Sequence, residues 1–173
     1  MENILELTIF ELLKKRVKTE ENLARVKSRY PGVNFQTADA LNLPFSENFF
    51  DKVISIATFH HIPSKEFRIK FLKEVKRVLK PGGILILTVW NFKEVKEFFL
   101  YFKFIILKLF GSKLDFGDFL EPWGNKILRY YHYFSKRELI NLAKEVNLGV
   151  REIGIIRNEK GNRRHTYLVA GKI

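Results

Sequence analysis

Two adjacent histidines, His60 and His61, end the apolar stretch "SIATFHHIPS". Paired imidazoles can bind a metal, move a proton, hold a carboxylate or simply pack. Zinc is the poorest fit, because the chain has 4 His and 0 Cys and neighbouring side chains point apart. The other readings stay open until the surroundings are known. Two further polar positions bear on them, Asp39 at the end of "VNFQTAD" and the Trp90–Asn91 pair after "ILILTV". All three groups stand where an apolar run stops.

What must position them is a chain of 173 residues, long enough for one domain with a real core. Its 46% hydrophobic content and 17 Phe argue for a packed globule. The lack of Cys excludes disulfides and thiolate metal sites and suits a reducing, cytoplasmic setting. Acids precede any apolar run at the N-terminus, so no signal peptide is expected. The net charge of +12 favours a polyanionic partner, nucleic acid or an anionic membrane surface, or else serves solubility alone.

From Ile4 to Tyr30 apolar residues recur at helical spacing (Leu7, Phe10, Leu13, Val17), and one or two helices are expected. "VNFQTAD" alternates like a half-buried strand, while "FFDKVISIAT" and "ILILTVW" suit strands buried on both faces. Between these two, Ser64 opens a helix with Phe67, Phe71, Val75, Val78 and Leu79 on one face and "KPGG" as its stop. Helical spacing follows in "FKEVKEFFLYFKFIILKLF", and Ser135 caps "SKRELINLAKEV". "GVREIGIIR" and "RRHTYLVAGK" read as a terminal hairpin. Strands alternating with helices imply right-handed crossovers and a mainly parallel α/β sheet. Such sheets bind ligands beyond the carboxyl ends of their strands, so Asp39, the Ala57–His61 turn and Trp90–Asn91 should converge on one rim.

"ADALNLPFSENFFDKVISIATFHHI" followed by "FLKEVKRVLKPGGILILTV" resembles the class I, Rossmann-like S-adenosylmethionine-dependent methyltransferases over about residues 19–90. Within that group, "GDFLEPWG" and "RYYHYFSKRELINLAK" are similar to the tRNA wobble-uridine methyltransferases, which esterify a carboxymethyl group. The resemblance implies a cofactor site in which Asp39 accepts from the adenine amine and Ala40 and Leu41 line the adenine. Ala57 and Thr58 would flank the methionine part. Without the resemblance, Asp39 reads equally as the cap of its own turn. The narrower match implies that Arg129 holds a substrate carboxylate, with Tyr130, His132 and one of His60 or His61 as donors. No metal is implied. A carboxylate is already ionised at neutral pH and needs alignment rather than a base.

One part of the family pattern is missing. After "MENILEL", a relic of the usual first strand, no glycine precedes Gly32, so the glycine-rich cofactor turn and the acid-ended second strand are absent. The expected domain is therefore 1–173, with 1–30 a helical replacement of the cofactor-binding start and 91–134 a substrate-side insertion. The sheet should be truncated at its N-terminal half, mainly parallel, with an antiparallel terminal hairpin. A bare edge of this kind invites a homodimer. Residues 92–110 suit a lid or partner surface better than a membrane helix, since lysines run throughout. Arg157, Lys160, Arg163, Arg164 and His165 form a basic cluster at the terminal turn, suited to phosphates or simply solvated. Three functions follow: a tRNA wobble-uridine methyltransferase aided by a small zinc-binding activator protein, as the resemblance implies; a cofactor-free remnant binding RNA or a partner; or a small-molecule or lipid methyltransferase.

Overall fold

The structure, a computed structural model, describes residues 4–7, 24–25, 27–32, 34–91, 102, 106, 114–123, 127–157 and 164–173. Among these a five-stranded sheet runs in the order β1 (Ile4–Leu7), β2 (Phe50–Ile56), β3 (Leu79–Trp90), β7 (Arg164–Lys172), β6 (Leu148–Arg157). β1, β2 and β3 are parallel, and β7 lies antiparallel to both β3 and β6. A separate hairpin pairs β4 (Asp118–Trp123) with β5 (Ile127–His132). Among the described residues two helices are bounded at both ends, α1 (Lys65–Val78) and α2 (Lys136–Glu145); residues 24–25, 27–29, 102 and 106 are also helical, and Phe59–His61 form a 3-10 turn.

Both helices begin at a serine whose hydroxyl accepts a backbone N–H, Ser64 from Phe67 and Ser135 from Glu138. That contact satisfies a donor which the first turn otherwise leaves orphaned. α1 buries Phe71, Leu72, Val75 and Val78 against Leu85, Leu87 and Val89 of β3, and α2 adds Leu139, Leu142 and Ala143 to the same core. Each large apolar side chain so buried contributes about 1.5–3 kcal/mol. Among the described residues no helix is long and apolar enough to cross a membrane.

Four expectations need correction. Ile4–Leu7 is a strand paired with Lys52–Ser55 and not part of a helix, so the first-strand relic keeps its place beside β2. "VNFQTAD" forms no strand; residues 34–38 are irregular, and only an isolated bridge joins Asp39 to Asn42. β2 offers this segment no edge, since β1 pairs on one side and β3 on the other, and among the described residues no strand pairs with the outer edge of β1. "KPGG" follows the end of α1 as expected, but the next strand already includes it: it bulges within β3, where Leu79 pairs with Phe50 and Ile84 with Lys52. Gly82 adopts φ 76°, and a Cβ on Gly83 would stand 2.8 Å from the Lys80 carbonyl. The fourth concerns α1, whose buried face carries Arg68 while Phe67 is exposed. Lys160, Arg163 and nearly all of 92–110 lie outside the described residues, as does the 8–23 part of the helices expected up to Tyr30, whose end is helical at 24–25 and 27–29.

Candidate active site

The rim at the carboxyl ends of β2 and β3 is built by three local features. β2 is followed by Ala57, which takes φ 51°, the left-handed region that a residue with a Cβ seldom enters. The turn is held because Ala57 N–H donates to the Thr88 carbonyl at 3.1 Å and lies equally close to the Thr88 hydroxyl. Thr58, fully buried, donates from Oγ1 to the Ile56 carbonyl at 3.1 Å. A strained residue locked from both sides is the kind of backbone found at ligand sites. The chain then makes a 3-10 turn and delivers His60 and His61.

The two histidines hold their protons differently. His60 Nδ1 accepts from Trp90 N–H at 3.3 Å, which leaves the proton on Nε2. His61 Nδ1 donates to the Tyr130 carbonyl at 3.0 Å. His60 is 2% exposed, and burial, reinforced by His61, His165 and Arg129, pushes its pKa well below the usual imidazole value. Its ring lies nearly parallel to those of Trp90 and Tyr131, with centroids 5.9 and 5.7 Å away. Tyr131 in turn lies parallel to Phe119 at 5.5 Å. The result is an aromatic wall containing a neutral imidazole.

β5 supplies Tyr131 and Arg129 to this wall, and the two-residue period of a strand sends Tyr130 and His132 to the other side. Arg129 Nη1 lies 3.5 Å from Tyr131 Oη, and its charge is felt at His60. Glu121 stands directly opposite Arg129 in the hairpin. Tyr130 and His132 do not join the histidine pair as donors. Tyr130 Oη instead donates to Asp118 Oδ1 and accepts from Arg68 Nη1 at 3.1 Å. His132 Nδ1 lies 2.6 Å from Asp118 Oδ1, and its Nε2 lies 2.8 Å from Glu138 Oε1. Two carboxylate neighbours require both ring nitrogens to donate, so His132 is an imidazolium. Arg68 Nη2 completes the cluster with Asp115 Oδ2 at 2.6 Å. Asp118 N-terminal geometry depends on Gly117, where a Cβ would stand 2.8 Å from His132 Cε1.

The electrostatics separate the two faces. Burial opposes the charged form of His132, but hydrogen bonds to Asp118 and Glu138 outweigh it and raise the pKa. Burial likewise raises Asp118, yet the hydrogen bonds from His132, Tyr130 and Asp115 N–H hold it below the usual carboxylate range. Followed by NMR, His132 should therefore stay protonated above the ordinary imidazole range near 6.5, and His60 neutral below it. The linkage signs are opposite. The raised pKa of His132 contributes stability below about 6.5 that is lost as pH rises through its folded value; the lowered pKa of His60 costs stability as pH falls below about 6.5. Coincident titration of both rings would refute this assignment.

The cofactor candidates are placed less fully. Asp39 is exposed, and its Oδ1 accepts from Leu41 N–H at 2.8 Å, capping its own turn as the simpler reading held. That leaves Oδ2 to accept from an amine. Ala40 and Leu41 pack against the core from its margin. Leu7 lies beside Ser55, so the chain leaves β1 next to the Ala57 turn, where a glycine-rich turn would sit. The residues present fit the adenine and methionine ends of S-adenosylmethionine. Between Leu7 and Gly32 no glycine is available for the close approach at the ribose. Among the described residues no group of His, Asp and Glu is placed to hold a metal ion.

Sequence reasoning missed Tyr131, Trp90 as a ring partner, and the Arg68–Asp118 pair. The signal for the first was present: "FLEPW" and "ILRYYH" flank "GNK", a hairpin pattern with aromatic alternation.

A methyltransferase-domain family model matches residues 5–87. A probable tRNA methyltransferase 9B of Mus musculus is 43% identical over 100 residues, 58% of this chain and 19% of that protein. The Arabidopsis thaliana tRNA (carboxymethyluridine(34)-5-O)-methyltransferase is 48% identical over 59 residues, covering 34% of this chain and 15% of its own length. The matched regions thus span less than a fifth of these curated relatives. A solved S-adenosylmethionine-dependent methyltransferase of Methanosarcina mazei superposes with a TM-score of 0.73 at 22% identity, covering 99% of this chain and 92% of that one. Sheet order and the match over the same strands agree: residues 5–87 belong to the methyltransferase-domain family, and the chain has the fold of a solved S-adenosylmethionine-dependent methyltransferase.

Proposed function

We propose that this chain is an S-adenosylmethionine-dependent methyltransferase of tRNA, acting on a carboxymethyl carboxylate at a wobble uridine. The observation that carries the reading is the convergence of Arg129, Tyr131 and the neutral His60 beside the Ala57 turn. S-adenosylmethionine, when bound, supplies an electrophilic methyl group. Asp39 would take the adenine amine, and the backbone of Ala57 and Thr58 would flank the methionine part. The guanidinium of Arg129 holds a carboxylate without ever protonating it. His60 offers its Nε2 proton as a hydrogen bond and keeps that proton, because burial disfavours any change in its charge. Trp90 and Tyr131 present flat apolar faces of the sort that stack on a nucleobase. Arg157 and Arg164 stand at the β6–β7 end of the same rim, where phosphates of the same RNA would pass. Likeness to the mouse relative supports tRNA, and likeness to the Arabidopsis enzyme supports the carboxymethyluridine.

A small zinc-binding activator protein, a homodimer through the β1 edge and a cytoplasmic setting belong to the same proposal. The test is methyl transfer to an anticodon stem-loop carrying carboxymethyluridine, with activator present. Arg129→Gln should lower the rate about ten- to hundredfold, since a hydrogen bond to a charged group contributes about 1.5–3 kcal/mol. Transfer undiminished in that variant would overturn the role of Arg129. A second reading, an RNA-binding remnant without cofactor, is favoured by the absence of glycine between Leu7 and Gly32. No methyl transfer together with tight tRNA binding would support it.

A further inference from the structure

The opposite end of the sheet carries a second basic feature. A cavity of about 500 Å³ opens there, lined by Lys73, Lys76, Arg77 and Lys172 together with Glu145, Val146 and Asn147. Lys172 Nζ donates to the carbonyl of Leu79, the first residue of β3, whereas Trp90, the last, stands in the rim described above. The paired register gives about eight strand rises between the two ends, roughly 25–30 Å.

Most of the lining charge has no acid to answer it. Arg77 is engaged by Glu74 at 2.8 Å and by the carbonyls of Leu43 and Phe45. Glu145, the one acid of the lining, is 2.9 Å from Lys65. Lys73, Lys76 and Lys172 make no ion pair among the described residues. The negative end of α1 accounts for Lys76 and Arg77, which lie in its last turn, but not for Lys73 or Lys172. Lys172 is fixed by two hydrogen bonds, to Leu79 O at 2.7 Å and Asn48 Oδ1 at 2.8 Å, leaving one ammonium hydrogen for a ligand. Burial, with repulsion from Lys76 and only partial relief from Glu47, lowers its pKa. An anion between Lys76 and Lys172 would remove that repulsion.

We infer that this cavity seats a backbone phosphate of a structured RNA whose reacting nucleotide occupies the opposite rim. The inference rests on the tRNA reading for the identity of the anion. The lining sets four cations against one acid, Glu145, and one apolar side chain, Val146, which suits a phosphodiester better than a lipid surface, where several apolar side chains would flank the lysines. The separation of the two sites requires an RNA with a body, since a loop nucleotide alone cannot reach both.

The experiment measures binding of full-length tRNA transcript and of a short anticodon-loop oligonucleotide to the whole chain and to Lys73→Gln/Lys76→Gln. Glutamine keeps the helix and removes only charge. The double variant should bind the transcript about tenfold more weakly, and its salt slope should flatten by roughly one per lysine lost. Binding of the loop oligonucleotide should not change. Inorganic phosphate, at constant ionic strength, should displace transcript from the parent more readily than from the variant. Should the double variant melt early, Lys73→Gln alone, at an exposed position, carries the same comparison. Unchanged transcript affinity and slope would overturn the proposal. So would loss of binding to phosphatidylserine vesicles with tRNA binding untouched, which would assign the cavity to a membrane. If the loop oligonucleotide is neither bound nor methylated while the transcript still responds to the variant, the wobble reading falls and the cavity stands.

Discussion

Titrated with S-adenosylmethionine in a calorimeter, the chain should bind about two to four decades more weakly than a family member with its glycine turn intact. The estimate comes from contacts that the sequence cannot make. A ribose acid receives hydrogen bonds from two hydroxyls, and a hydrogen bond to a charged acceptor contributes about 1.5–3 kcal/mol. Losing it and one further polar contact converts to that range at 1.4 kcal/mol per decade. What remains is the Asp39 turn, with one oxygen already held by Leu41 N–H, and the Ala57–Thr58 backbone. Grafting a glycine-rich turn and an acid-ended strand between Leu7 and Thr19 should restore affinity, because β1 already leads to the right place beside Ser55. Micromolar binding by the unmodified chain would sink the prediction and return the ribose contact to residues between 8 and 23.

How far the sequence foretold this arrangement depends on whether the deciding force was local. β2, α1, β3, α2 and the β6–β7 hairpin were legible because each carries its own signal, a β-branched run or a serine cap before an apolar stripe. "VNFQTAD" has an equally clean alternation, yet a strand needs a neighbour, and among the described residues none pairs with it. Ile4–Leu7 reads as helix from its spacing because four residues cannot distinguish the two periods, and the partner that decides lies 48 positions away at Lys52. At the site, the histidine turn was visible, but Tyr130 and His132 were assigned to the wrong side. Any strand reading of "ILRYYH" would have separated them from Arg129 by alternation alone. Arg68 was least legible of all. It sits among apolar neighbours at a helical position that demands burial, and the acids that permit it are 47 and more residues on, in Asp115 and Asp118.

That buried cluster yields the other large effect: Asp118→Ala should lower stability by about 3–5 kcal/mol, the usual result of removing one partner from a buried charge pair. Arg68 is 1% exposed and His132 equally so, so neither cation can turn to water once the carboxylate is gone. Both oxygens of Asp118 are in use, Oδ1 by Tyr130, His132 and Arg68, Oδ2 by Asp115 N–H at 2.8 Å. In a domain of this length the loss corresponds to a melting temperature lower by roughly 6–20 °C. The effect should depend on pH in a defined direction. Asp118, its pKa held low, stabilises above the ordinary carboxylate range and loses that contribution as pH falls through its folded value. His132, its pKa raised, stabilises below about 6.5 and loses that contribution as pH rises through its folded value. The gap between parent and variant should therefore be widest from about pH 4 to pH 6.5 and narrow on the alkaline side. Replacing the group as a whole, Arg68→Met with Asp118→Leu and His132→Phe, should recover most of the loss, since apolar substitutes leave no charge stranded. The hairpin then keeps its place while losing its ions, and Arg129 and Tyr131, on the opposite face of β5, should still meet His60. An Asp118→Ala variant that melts within about 1 kcal/mol of the parent would mean that aromatic packing around Tyr131 and Phe134, and not the ion cluster, seats β5 against the core.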